Sequence, residues 1–268
     1  MNKTFFESKN KLPLSFLCGG KRMEGLPAEW NPCKTEAQIS NEITETTYSG
    51  KSPEGLSLRV SCRKYLDFPV IEYVAYFTNE GDTDTPIMED IRIEGLLDGK
   101  NATLWRGNGD TCNEEGFQWW SEPLGAETKT IEPRPEGTSC KDAFPYLRLQ
   151  TGNCGYNIAI GWTGYWTTDL RETENGVFLS VGQKRCHMVI HPGETMRTPS
   201  LVLMSYTGDE VDGANMWRRW YFAHIIPREN GKLLPPKLCM HHMHIGEYAE
   251  GCGMTEENQL AAMEKAFT

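Results

Sequence analysis

The sequence has no long apolar run. The longest hydrophobic stretches fall well short of the ~18 residues that a membrane-crossing helix needs, which argues against a membrane protein. It has no excess of positive charge either. It carries 27 Lys and Arg against 37 Asp and Glu, a formal charge of -10. Nucleic acids and anionic membrane surfaces are held by basic patches, so that balance argues against both as partners. No GxSxG, Walker or dinucleotide-type glycine pattern occurs, which removes the usual signs of a serine hydrolase, a P-loop protein or a nicotinamide enzyme. No CxxC pair occurs among the nine cysteines, an odd number scattered from Cys18 to Cys252. Near the N-terminus the apolar stretch Leu12 to Leu17 is short and interrupted by Pro13, too weak for a secretory leader. Free thiols in a reducing, cytoplasmic compartment are the expectation.

What is present is a rhythm of two. Leu56, Leu58, Val60 and Cys62 alternate with Ser57, Arg59, Ser61 and Arg63, the pattern of a strand with one wet face. Val70 to Thr78 is a second run rich in β-formers, and Asn79-Glu80-Gly81-Asp82 is a turn. Further strands are expected at Ile87 to Leu97, Pro145 to Gln150, Tyr156 to Trp162, Val177 to Gly182, Cys186 to His191 and Ser200 to Tyr206. Gly and Pro clusters separate them at intervals of roughly ten residues, the spacing of a sandwich or barrel. The expected fold is therefore mainly β.

The rhythm changes at Asp209. Trp217, Trp220, Tyr221, His224 and Ile225 fall on one face of an amphipathic helix that Pro227 should end. Arg228 to Pro236 reads as a linker with Gly231 inside it. From there to Thr268 one strand, one loop and one helix are expected. Thr255 is a plausible N-cap, and Leu260, Met263 and Phe267 form an apolar stripe. A lone βα step after a large β region suggests the start of a second domain. An isolated βα unit has no sheet to join, so disorder or makeshift packing is expected for it. The division expected is a β domain over residues 1–207, a linker helix and loop over 208–234, and the opening of a further domain over 235–268.

Several residues could carry chemistry. Cys239, His241, His242, His244 and Cys252 form the densest local cluster, and zinc takes four ligands from Cys and His. On a strand, however, His242 and His244 share one face while Cys239 and His241 share the other, so no metal site is assigned. The same histidines could line a substrate pocket at the mouth of a strand. Glu247 lies just beyond them, as either a pocket acid or a solvated loop acid. Residues 106–143 are rich in Gly, Glu and Pro and hold Trp119 and Trp120 in a mostly polar stretch. Either tryptophan could stack on the apolar CH face of a sugar, and core packing is the competing reading. Asp110, in Gly107-Asn108-Gly109-Asp110, is a turn residue or a carboxylate reaching toward sugar hydroxyls.

Four stretches carry a family resemblance. Glu72 to Gly81 followed by Thr85 to Ile91 reads EYVAYFTNEG then TPIMEDI. Ile160 to Trp166 reads IGWTGYW. His191-Pro192-Gly193-Glu194 precedes Arg197-Thr198-Pro199. Asp212 to Asn215 leads through Trp217-Arg218-Arg219 to His224. In this order they resemble the N-terminal region of the α-galactosidases of glycoside hydrolase family 36, and Thr255 to Leu260 is similar to the start of the first barrel helix. The resemblance implies a β-supersandwich followed by a (β/α)8 catalytic barrel, of which this chain would hold only the first βα unit. It implies a retaining glycosidase acting on α-linked galactosides with two catalytic aspartates on later barrel strands. No residue here inherits either role. It also implies a long loop, here Gly107 to Trp120, bordering the sugar pocket, often within a homo-oligomer. No cofactor is implied. One departure is the first barrel strand, Cys239 to Glu247, which lacks the family's usual Asn and Trp. The substrate-binding residues expected are Asp110, Trp119, Trp120, His242, His244 and Glu247. The competing reading is a non-catalytic carbohydrate-binding or oligomerisation module. A metal enzyme using the His cluster is the third.

Overall fold

The computed structural model describes residues 12–111, 113–135, 138–236 and 255–267. The expected strand at 237–244, with His242, His244 and Glu247, lies outside them. The larger compact unit runs to Ala223, and a smaller one begins at His224.

The first unit is two antiparallel sheets. The strands are β1 (Leu14–Cys18), β2 (Lys21–Glu24), β3 (Cys33–Ser40), β4 (Ile43–Lys51), β5 (Leu56–Tyr65), β6 (Val70–Asn79), β7 (Met88–Leu97), β8 (Thr103–Gly107) and β9 (Trp119–Pro123). They continue as β10 (Lys129–Ile131), β11 (Tyr146–Thr151), β12 (Cys154–Gly161), β13 (Trp166–Thr173), β14 (Gly176–Gln183), β15 (His187–Met188), β16 (Thr195–Arg197) and β17 (Ser200–Thr207). The larger sheet runs β3-β4-β5-β6-β17-β12-β11-β8-β9, with β16 on β6. The smaller runs β10-β13-β14-β7-β1-β2, with β15 on β7.

Period-2 alternation sets which side chains meet between the sheets. Leu58 and Val60 of β5, Tyr73, Ala75 and Phe77 of β6, and Leu201 and Leu203 of β17 point inward. From the smaller sheet come Phe16, Ile91, Ile93, Leu179 and Val181. Phe16 meets Phe77 edge to face, with ring centroids 5.0 Å apart, a favoured aromatic geometry.

The helix α1 (Glu210–Trp220) lies on the outer face of the larger sheet, against β12 and β17. Asp209 starts it. Its carboxylate accepts from the backbone N–H groups of Val211 and Asp212 at 2.9 and 3.0 Å, and Asp212 reciprocates at the cap's own N–H. Such a capping box satisfies donors that the first turn leaves orphaned. Trp220 is buried with Tyr65, Val70 and Met204 in a second apolar cluster. Gly213 sits directly over Tyr206, where a Cβ would fall 2.7 Å from ring carbons. Asn157 ties the contact by donating to the Gly213 carbonyl at 2.9 Å.

The apolar stripe expected to run on through Ile225 stops at Trp220. Residues Tyr221–Ile225 form a π-type turn, which adds a residue per turn and rotates the later side chains off the stripe. Tyr221, Phe222 and Ile225 are exposed. The second unit contains a small hairpin, β18 (Arg228–Glu229) with β19 (Lys232–Leu233), where a linker was expected. Asn230 and Gly231 turn it, both with positive φ, 51° and 76°. Asn-Gly suits the type I′ turns that match strand twist. Its helix α2 (Glu256–Phe267) leaves Leu260 and Met263 exposed. No described helix is long and apolar enough to cross a membrane.

The family-like stretches form the joints of the sandwich. Asn79, at the end of β6, is buried. Its side-chain N–H2 donates to the carbonyls of Thr83 and Ile190 at 2.8 and 2.7 Å, and its side-chain oxygen accepts from Gly81 at 2.9 Å. Its main chain exchanges bonds with the segment 193–194. Thr198 pairs with Ala75 through both its hydroxyl and its backbone N–H. The strand expected over Cys186 to His191 is only the two-residue β15, because the chain then leaves β7 to close on Asn79 and Thr85.

Candidate functional site

The segment from Gly107 to Trp119 joins β8 to β9 at the edge of the larger sheet. Several of its described backbone groups are hydrogen-bonded. Gly109 has a φ of +65°, and a Cβ there would fall 2.0 Å from the Cys140 carbonyl oxygen, so only glycine fits. Next to it, the Asp110 N–H donates to that carbonyl at 2.8 Å, and Asp110 bridges in parallel to Lys141. Phe117 N–H donates to Gly109 at 2.6 Å. Asn108 reaches across the turn to the Glu115 carbonyl at 2.6 Å. Beneath lies 138–144, anchored in turn by the fully buried Trp166, whose indole N–H donates to the Ser139 carbonyl at 2.7 Å. The IGWTGYW stretch thus holds the floor of this loop.

Trp119 and Trp120 do not act together. They are successive strand residues and point to opposite faces of β9. Trp119 lies opposite Gly107, with its ring over that glycine, and is 39% exposed. Its face is the outer one, shared through the strand register with Trp105, Arg148 and Asn157. Trp120 faces inward at the sandwich edge, where the Arg106 guanidinium lies over its ring at 4.8 Å. Arg106 also pairs with Glu122 at 2.6 Å, and Lys129 of the other sheet closes on the same carboxylate.

A row of aromatic rings crosses this outer face. Phe117 meets Phe144 at 5.7 Å, Phe144 meets Tyr146 at 4.9 Å, Tyr146 meets Trp217 at 5.9 Å, and Trp217 meets Trp220 at 4.8 Å. Phe117 is the most exposed member at 61%, in a left-handed backbone conformation (φ 58°) that bulky residues avoid. Sequence reading found the two helix tryptophans but not the row, since its members come from three separate segments. Tyr146 and Phe144 do alternate with buried residues, a signal that marks a face but not its neighbours. Burial lowers the Arg148 pKa and raises that of Tyr146.

The arrangement suits binding rather than proton transfer. A general acid at neutral pH needs a raised carboxyl pKa. Burial alone would raise Glu122, but bonds from Lys129 and Arg106 bring it below its ordinary value. Lys184 and Tyr165 do the same for Glu132. Both remain carboxylates. Exposed Trp119 and Phe117 offer apolar faces beside a rigid polar turn. His242, His244 and Glu247 lie outside the described residues. Among the described residues, no three His, Cys, Asp or Glu side chains are grouped to hold an ion, and the six described cysteines are not joined in disulfides. A separate cleft of about 740 Å³ is lined by Trp30, Met23, Pro53, Asn79 and Pro86 among others, and by none of residues 107–120.

No protein-family model matches the sequence, and no curated protein matches it. Solved structures do match. The α-galactosidase AgaA of family GH36 from Geobacillus stearothermophilus aligns with a TM-score of 0.60 at 15% identity, over 78% of this chain and 32% of its own. An α-galactosidase from Lactobacillus brevis aligns at 0.59 and 13%, over 80% of this chain and 31% of its own. The galactosidase domain of the α-galactosidase-sucrose kinase AgaSK aligns at 0.57 and 13%, over 78% and 32%. Variants of AgaA have been crystallised in complex with raffinose and with stachyose. The chain thus spans about a third of the length of these structures. At this identity the likeness is one of fold: a mainly β, antiparallel sandwich built like part of a GH36 α-galactosidase.

Proposed function

We propose that this chain is the N-terminal portion of a retaining α-galactosidase-like glycoside hydrolase acting on α-linked galactosides. In this reading the β-supersandwich occupies residues 1–207 and 208–234 connect it onward. Residues 235–268 begin a (β/α)8 barrel, and both catalytic aspartates lie beyond them. The observation that carries the reading is the shared fold over 78% of the chain, with the order of the family-like stretches explained as its joints. Within it, the loop from Gly107 to Trp120 borders the sugar pocket. Trp119 supplies a stacking face and Asp110 a polar contact. Trp120, under Arg106, braces the strand. His242, His244 and Glu247 line the pocket from the barrel side. The protein works in the cytoplasm, without cofactor, metal, membrane or nucleic acid.

The test has two parts. The purified 268-residue chain should leave an aryl α-galactoside unhydrolysed, and the reading frame in source DNA should continue past codon 268 into strand-helix repeats. Turnover in proportion to the chain's concentration would refute the assignment of catalysis to missing segments. A second reading, a non-catalytic carbohydrate-binding module, is favoured by the exposure of Trp119. It would take first place if the frame closes at once while galactosides still bind.

A further inference from the structure

The cleft of about 740 Å³ lies where the two sheets bring strand ends together. Cys18 and Met23 come from β1 and β2 of the smaller sheet, and Leu56 from β5 of the larger one. Trp30 and Pro86 extend this apolar lining. Trp30 is itself buried, its ring 6.2 Å from that of Phe16. The volume falls in the range of small-molecule sites, which are mostly apolar with a few polar groups. The buried polar side chains of the lining are already bonded. The hydroxyls of Ser52 and Thr85 accept from the N–H groups of Leu56 and Ile190 at 3.1 and 2.9 Å. The Asn79 amide is taken up by Gly81, Thr83 and Ile190. Charge enters only at the rim, where Lys21, Glu29, Glu54 and Asp84 line the cleft and are exposed. Asp84 is held by His191 at 2.7 Å. Among the described residues, Glu29 and Glu54 are in no ion pair, which leaves two carboxylates against the one ammonium of Lys21. The field of Glu54 reaches the floor of the cleft: burial first, and then that carboxylate, push the Cys18 thiol pKa up.

We propose that this cleft binds a small organic monocation, a single ammonium group carried on a flat apolar body. The body covers the lining of Trp30, Met23, Leu56 and Pro86, and the ammonium meets Glu29 and Glu54 at the rim. One surplus negative charge matches one positive charge on the ligand. An indole is also the aromatic surface that attracts a cation best. A carboxylate at the edge of an apolar cleft pulls harder than one in open water, because the effective dielectric is lower there. An anion of the same shape is repelled, and a neutral sugar gains nothing from the surplus charge. The cleft shares no residue with the segment 107–120, so the inference does not rest on the galactoside reading.

An amide-resolved NMR titration of the isotope-labelled chain tests it with tryptamine, tryptophol and indoleacetate. These share one ring system and carry, at neutral pH, a positive charge, no charge and a negative charge. Tryptamine should shift the amides of Gly20, Glu54 and Asp84 at millimolar concentration or below. Tryptophol should bind at least about threefold more weakly, and indoleacetate more weakly still. Raising the salt concentration should weaken tryptamine and leave tryptophol unchanged. Glu29→Gln and Glu54→Gln should each weaken tryptamine roughly threefold without affecting tryptophol. Both positions are exposed, and an unchanged circular dichroism spectrum would show that the fold is intact. The comparison of the three ligands on the wild-type chain needs no variant. Tryptophol or indoleacetate binding as tightly as tryptamine would overturn the proposal. So would an absence of shifts up to the solubility limit, shifts confined to residues outside the cleft, or glutamine variants that bind tryptamine like wild type. Raffinose shifting the same amides as strongly as tryptamine would replace the cation site with a sugar site.

Discussion

Replacing Asn79 with alanine tests the idea that the family-like stretches are joints. The Asn79 side chain makes three hydrogen bonds in a site that is 1% exposed: to the carbonyls of Thr83 and Ile190 and from the N–H of Gly81. A net worth of about 1 kcal/mol per bond gives a loss of ~3 kcal/mol. The Ile190 carbonyl keeps a second donor, Thr85 N–H at 3.1 Å, so the penalty for stranding it is small. For a domain of this size, ~3 kcal/mol corresponds to a fall in Tm of roughly 6–12 °C. Urea unfolding followed by tryptophan fluorescence should show a lower midpoint with an unchanged slope. Asn79→Asp should cost more at neutral pH, since a carboxylate would face two carbonyl oxygens. A loss below about 1 kcal/mol for Asn79→Ala, or an aspartate variant as stable as wild type, would refute the clasp.

Three further predictions concern the frame around the candidate site. Gly213→Ala should destabilise by about 1–2 kcal/mol, because the cost of overpacking against Tyr206 exceeds the gain in helix propensity; an unchanged urea midpoint would contradict the close contact. Trp166→Phe should speed amide exchange across residues 138–144 more than in the β5–β6 pair, since it removes the bond to the Ser139 carbonyl; uniform change would count against a local anchor. Stability should fall in acid. Burial alone would raise Asp90 and Glu45, but bonds from Arg92 and Arg22, and from Arg63 and Ser61, outweigh it and depress both below their ordinary 3.8 and 4.5. The stabilisation is therefore present above pH 4.5 and lost as pH falls through the depressed values. The Tm should decline there, and less so in Arg22→Ala, as read by calorimetry.

The sequence showed the central strands best. Leu56 to Cys62 and Val70 to Thr78 combine strict alternation with β-branched and aromatic residues, and they became the long pair β5 and β6. The first 54 residues hid four strands. β3 is exposed along its whole length and β4 is only half-buried, reaching the apolar clusters through Ile43 and Tyr48, so CKTEAQIS and ITETTYSGK carry no apolar alternation to detect. β9 was hidden for the same reason, its tryptophans sitting at an edge in a polar context. The small hairpin had a legible signal in Asn230-Gly231, which composition alone turned into a linker. At the candidate site, the residue types were legible but their facing was not. Trp119 and Trp120 looked like one feature, and the pleat separates them. The loop's order comes from the Cys140 carbonyl and the Trp166 indole, distant partners that no local pattern contains.

The most direct test of the proposal that the loop from Gly107 to Trp120 faces a sugar is saturation-transfer NMR with raffinose on the wild-type chain and on Trp119→Ala. Stacking on an exposed indole should transfer magnetisation chiefly to the galactosyl CH protons. The alanine variant, with an unchanged circular dichroism spectrum as the check on its fold, should lose that transfer, whereas Trp105→Ala should retain it. Equal transfer to wild type and Trp119→Ala, or none to the wild type, would contradict the account.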